Sequence, residues 1–118
     1  MTVSGIDINV LMDAACGNRE IAADLMKLFF KLTGGEQANL ADAVARKDHA
    51  AISAIAHKVA GSCIACGMGG LSAQFKELEN LCKNSLPEDT GARIQAVDRQ
   101  LQDVRRYLEE FFTCPLAP

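Results

Sequence analysis

Tryptophan is absent from this chain, aromatic residues make up 5% of it, and its three prolines are Pro87, Pro115 and Pro118. With so few aromatics, alanine and leucine supply most of the apolar volume, a composition that leans toward helices. Proline at a single interior position leaves long stretches free to be helical. There is no basic run: the largest clusters are Arg46-Lys47 and Arg105-Arg106, and the net charge is −3. A nucleic-acid binder would carry a basic stripe, so that class is set aside. No apolar segment approaches the ~20 residues that cross a bilayer. The N-terminal MTVSGIDINV lacks the basic-then-apolar pattern of a signal peptide, so no membrane association and a cytoplasmic location are expected. No P-loop, glycine-rich nucleotide loop or Ser-His-Asp constellation is present, which argues against a kinase or a hydrolase. The five cysteines, an odd number, fit reduced thiols used as small core residues.

What is present is helical spacing almost throughout. The 118 residues suit one domain, 1–118, with a single core; Met1 and a natural-looking end suggest a free-standing protein. Asp7 can cap a short first helix with Ile8, Leu11, Met12 and Ala15 on one side, closed by Gly17-Asn18. A second run places Ile21, Leu25, Leu28, Phe29 and Leu32 inward and is expected to stop at Gly34-Gly35. A third, from about Glu36 to Arg46, carries Leu40, Ala43 and Val44. Asp48 is placed to cap a fourth helix. After Gly67, Gly69 and Gly70 a fifth presents Leu71, Phe75, Leu78, Leu81 and Cys82. The turn NSLPEDTG precedes the longest run, with Ile94, Val97, Leu101, Val104, Leu108, Phe111 and Phe112. Short connections between amphipathic helices imply antiparallel neighbours. The expected fold is all-α, an antiparallel up-and-down four-helix bundle with one or two additional N-terminal helices.

The fourth of these helices carries an unusual face. At about 100° per residue, Ile52, Ile55, Ala56, Val59, Cys63 and Cys66 form the core arc, and His57 points away from it. Around His57 stand Ala50, Ser53, Ala54, Ala60, Gly61 and Ile64, where a solvated face would carry Lys, Glu and Gln. Gly61 lowers helix stability by roughly 0.5–1 kcal/mol relative to alanine. The simplest account is clearance beside an imidazole one turn away. Free imidazole is a nucleophile that can carry a group covalently, and a histidine without a catalytic partner suits a carrier better than a catalyst. His49, near the start of the same helix, has no comparable surroundings and reads as structural or incidental.

These residues resemble the histidine-containing phosphotransfer (HPt) domain of two-component phosphorelays, whose signature runs Ala-His-x-Leu-Lys-Gly-Ser. Ala56-His57, Val59 and Gly61-Ser62 follow it, Gly67 matches a later glycine, and Leu71-Ser72 and Leu78-Glu79 match the next helix. Ile6-Asp7, Leu11, Gly17, Leu25, Phe29, Leu40 and Asp48 fit the looser upstream pattern. The resemblance implies that His57 accepts a phosphoryl group from a receiver-domain aspartate and passes it to another receiver. The implied partners are response-regulator receiver domains and a hybrid sensor kinase, and the chain is expected to be a monomer. No cofactor is expected, Mg²⁺ belonging to the receiver. Glu79 falls where several members place a Gln near the histidine, and Ser62 is a further support residue. The family lysine three residues after the histidine is Ala60 here, about 90° from the centre of the core arc, a position where lysine should fold well. Lys76 and Lys58 are the cations that could replace it.

Three other readings compete. Cys63-Ile-Ala-Cys66 has metal-ligand spacing, but it lies on a helix core arc without a second pair, so no metal is expected. A phosphorylation-independent adaptor that binds a receiver would keep the docking face without the chemistry. A purely structural helical interaction module would explain the bundle but not the cleared ring.

Overall fold

The computed structural model describes residues 5–116; the N-terminal Met1 and the last two residues, on which the sequence reading of the chain ends relied, lie outside them. Five helices follow in order: α1 (Ile8–Ala14), α2 (Arg19–Ala45), α3 (His49–Ala65), α4 (Gly69–Leu81) and α5 (Thr90–Phe112). The long helices α2 to α5 form the bundle, α1 packs against α2 and α3, and no strand occurs among the described residues. The all-helical expectation holds, with one N-terminal helix added to the four.

Polar caps set the helix starts. Asp7 accepts from the Asn9 amide, Asn18 from Ile21 and Asp48 from Ala51, each at 3.0 Å. Each cap satisfies a first-turn amide that has no partner inside its helix. Gly67 performs the sharp turn between α3 and α4. Its φ of +87° is left-handed, and a β-carbon there would lie 2.6 Å from the Asp7 carbonyl oxygen. The backbone passes that close because Gly67 O accepts from the Asp7 amide at 2.8 Å, tying the entry of α1 to the α3–α4 turn.

Two sequence expectations for α2 are corrected. The helix does not stop at Gly34-Gly35 but runs through both. Glycine lowers helix propensity without any steric clash, and a buried stripe crosses the pair: Ala22, Met26, Phe29 and Thr33 before it, Leu40 and Ala43 after it. The second correction concerns which stripe faces in. Ile21, Leu28 and Leu32 are exposed and Leu25 is half-buried. The bulkier stripe looks like the core face, but beyond Leu32 it leads to Gly35, Glu36 and Asn39. The stripe one residue further round is apolar on both sides of Thr33, with Ala22, Met26 and Phe29 before it and Leu40 and Ala43 after it, so the bundle buries that one.

A β-carbon at Gly34 or Gly35 meets nothing within 4 Å. Gly34→Ala and Gly35→Ala should therefore each stabilise the domain by about 0.5–1 kcal/mol in urea unfolding. Gly67→Ala should destabilise it by more than that, because both φ and the Asp7 carbonyl oppose a side chain.

Candidate functional site

The site is built where α3 and α4 run antiparallel. Three hydrogen bonds tie the two helices side chain to backbone. His49 Nδ1–H donates to Cys82 O at 2.9 Å, Ser53 Oγ to Glu79 O at 2.8 Å, and Ser72 Oγ to Ala60 O at 2.9 Å. Small side chains let the axes approach closely enough for these bonds. His49, with its imidazole taken up by a backbone carbonyl, takes the structural one of the two readings the sequence left open.

His57 lies between the second and third of these ties. Its side chain is 73% exposed, and its Nδ1 is 3.2 and 3.1 Å from the two carboxylate oxygens of Glu79, itself 19% exposed. The carboxylate can only accept, so Nδ1 carries the hydrogen and donates it. That fixes the tautomer, leaving the Nε2 lone pair free. Because Ser53 holds the Glu79 backbone, the carboxylate is anchored from the α3 side as well as by its own helix.

Around His57 the expected ring is only partly open. Ala50, Ala54, Gly61 and Ile64 are exposed, but Ser53 and Ala60 are buried, Ala60 to 1% exposure. On the helix surface Ser53 and Ala60 lie about 40° and 60° to one side of His57, and the exposed residues lie within about 20° of it or on the other side. α4 covers the first side. Position 60 is thus a seam position, and the expectation that lysine there would leave folding untouched is corrected. A β-carbon on Gly61 would meet open space, so no packing contact requires this glycine.

The supporting cations also differ from expectation. Lys58 turns toward α2, its Nζ 3.8 Å from Glu36 Oε2. Lys76 is exposed and does not line the hollow beside His57. Lys83 does: the hollow is bounded by Ala50, Ser53, Ala54, His57, Glu79 and Lys83. Sequence reasoning missed this lysine, which lies beyond the last residue of α4, where helical spacing gives no direction. Ser62 is exposed and reaches only the Lys58 carbonyl, at a long 3.5 Å. The apolar patch beside the site was also missed, because its α2 members had been assigned to the core. Leu28 and Leu32 of α2 and Ile64 of α3 are each more than half exposed. The Glu36–Lys58 pair sets the antiparallel level of α2 against α3, placing Leu32 and Leu28 beside the stretch that follows Gly61.

The thiols behave as packing groups. Cys63 and Cys82 are buried and Cys66 is half-buried. Burial pushes the Cys63 thiol up to about 12 and raises Cys66 and Cys82 as well. At neutral pH none of the three supplies a reactive thiolate. Among the described residues no three of His, Cys, Asp and Glu converge as a metal site.

A bundle with an exposed, carboxylate-held histidine on its second long helix defines a class of protein, and comparison with known families agrees. The Hpt domain family model matches residues 24–107. The chain belongs to this family, whose members carry phosphoryl groups between receiver domains in phosphorelays. Its fold is shared with the crystal structure of histidine-containing phosphotransfer protein B (HptB) from Pseudomonas aeruginosa PAO1. The TM-score is 0.86 at 20% identity, over 95% of this chain and 97% of that one. No curated protein matches the chain by sequence. No helix of the described residues is long and apolar enough to cross a membrane.

Ala60→Lys should destabilise the domain by about 1–3 kcal/mol, the usual range for overpacking a filled seam. Urea unfolding measures it, and an unchanged midpoint would show that the lysine escapes between α3 and α4.

Proposed function

We propose that His57 is the phospho-accepting residue and that Nε2 is its reacting atom. The observation that carries this is the pairing of a solvent-facing Nε2 with an Nδ1–H held by Glu79. The Nε2 lone pair attacks the phosphorus of an aspartyl phosphate on a receiver domain. The aspartyl P–O bond breaks and the aspartate leaves as a carboxylate. The imidazole then bears both Nδ1–H and the Nε2–P bond and is positively charged, and the Glu79 carboxylate stabilises that charge. Attack by the aspartate of a second receiver reverses these bond changes. Lys83, in the same hollow, is the cation placed to offset phosphoryl charge in the absence of a lysine at position 60. No nucleotide enters the scheme, and Mg²⁺ is assigned to the receiver.

The receiver docks on the strip Ala50, Ala54, Gly61 and Ile64 and on the neighbouring Leu28 and Leu32. Exposed apolar residues grouped beside small ones favour close approach by a partner. A hybrid sensor kinase as the upstream partner, a monomeric state and a cytoplasmic location complete the proposal.

Incubation with a phosphorylated receiver and Mg²⁺ should give acid-labile, alkali-stable label. His57→Gln should abolish it and His49→Gln should retain it in whatever fraction stays folded. Label persisting in His57→Gln would sink the carrier role. Unlabelled protein that still binds the receiver would instead define a phosphorylation-independent adaptor.

The docking strip is tested separately. Gly61→Ala should stabilise α3 by up to ~1 kcal/mol, whereas Gly61→Gln should fold normally and slow transfer. Leu32→Glu should weaken receiver affinity by about tenfold or more, the loss expected when a charge is buried in an apolar contact. Normal affinity and transfer in both Gly61→Gln and Leu32→Glu would move the docking surface elsewhere.

A further inference from the structure

Across α2 from His57 lies a cleft that the phosphotransfer scheme does not use. The Glu36–Lys58 pair marks the flank of α2 that meets α3, and a 2.8 Å bond from Gln37 Nε2 to Asp98 Oδ1 marks the flank that meets α5. On the α5 flank a cleft of about 380 Å³ opens over Gly34 and Gly35, within the range of small-molecule sites. Glycine at both positions keeps it open, since a β-carbon at either would project into free space.

Its polar groups are incompletely satisfied. Arg105 Nε is shut off from solvent and has no acceptor. Arg105 Nη2 donates only to the Gln102 side-chain oxygen. Thr33 also lines the cleft, and its hydroxyl, which is not cut off from solvent as Arg105 Nε is, makes no hydrogen bond within the described residues. A buried donor without an acceptor, as Arg105 Nε is, is rare in folded proteins, because it forfeits the water it gave up. Lys31 adds a second positive charge to the lining, which includes no Asp or Glu, while Phe30 and Leu101 supply apolar wall.

We propose that this cleft binds a small organic oxyanion, a carboxylate or phosphate monoester on a compact apolar body. Nε and Nη2 form one edge of the planar guanidinium, the edge that takes two oxygens of an oxyanion side by side. The ligand displaces Gln102 from Nη2, exchanging one neutral acceptor for two charge-assisted bonds. Thr33 donates to the same group, Lys31 lies at the mouth, and the apolar body packs on Phe30 and Leu101. The cleft shares no residue with the hollow at His57, so such a ligand is an input to the domain separate from the phosphoryl group.

The test is a titration of ¹⁵N-labelled protein with phenyl phosphate, benzoate and, as the neutral control, benzyl alcohol. Phenyl phosphate or benzoate should shift the Gly34 and Gly35 amides and the Arg105 Nε–H signal saturably, and the tighter of the two identifies the oxyanion. Benzyl alcohol should not. Arg105→Gln should weaken binding by about tenfold or more, the equivalent of one charged hydrogen bond. Thr33→Val, which keeps the shape and removes the hydroxyl, should weaken it severalfold and decides the matter if Arg105→Gln fails to fold. His57→Gln should bind as the parent does, so the cleft stands whether or not His57 carries phosphate. Shifts still unsaturated at about 10 mM, equal response to benzyl alcohol, or undiminished binding in Thr33→Val and Arg105→Gln would overturn the proposal.

Discussion

The site depends on one packing constraint, the closeness of α3 to α4. Ser53 and Ser72 donate to carbonyls of the opposite helix and His49 does the same one turn before Ser53. Paired residues advance on one helix as they recede on the other, so the register is held at three levels along the seam. Larger side chains at Ser53, Ala56 or Ala60 would push the helices apart and lengthen all three bonds. Glu79 meets Nδ1 because the Ser53 bond to its carbonyl holds its backbone beside α3, one turn from His57. The imidazole orientation is therefore a consequence of helix packing, and the exposed histidine needs few other neighbours to hold it.

The same economy of side chains gives the rest of the surface its character. Where α4 covers α3, small residues allow contact; where nothing covers it, they leave Nε2 approachable. α2 repeats this division. Its continuous stripe from Ala22 to Ala43 enters the core, while Ile21, Leu28 and Leu32 stay outside. A monomer would gain by burying such residues, and leaving Leu28 and Leu32 in water on the flank that meets α3 suits a surface that is covered part of the time. The Gly34-Gly35 pair similarly gives up helix propensity inside the longest helix. The cleft over it is the one structural gain visible at that position.

Much of this was legible in the sequence, for physical reasons that can be named. Asp7 and Asp48 announced helix starts because a short acceptor before an apolar period has few other uses. The α5 stripe from Ile94 to Phe112 read correctly because its other face is strongly polar. His57 stood out because its surroundings lacked the long charged side chains that water favours. α2 defeats the sequence pattern where two apolar stripes run one residue apart, and at Gly34-Gly35, where the glycine deficit is smaller than the packing that spans it. Ser53 and Ala60 were placed on the open face because a helical wheel gives direction relative to the core but not the width a neighbouring helix covers. Lys83 escaped notice because it lies past the end of α4, where the helical period no longer predicts direction.

Electrostatics give the proposed chemistry its balance. Glu79 stabilises the positive ring of a phosphoimidazole, which favours acceptance, yet its charge also repels the phosphoryl oxygens. A lysine at position 60 would have offset that repulsion from within the seam; Lys83 can offset it only from the rim, where solvent and salt screen it. Such a site stabilises the phosphorylated state modestly. A catalyst of hydrolysis would need a base to activate water, and the one carboxylate at hand is occupied with Nδ1–H. A store of phosphate would need a deep cationic pocket, and the hollow at His57 is shallow with a single lysine on its border. The proposed scheme therefore leaves His57 as a nucleophile that takes the group and holds it without strong preference, the property a two-way carrier between aspartates requires.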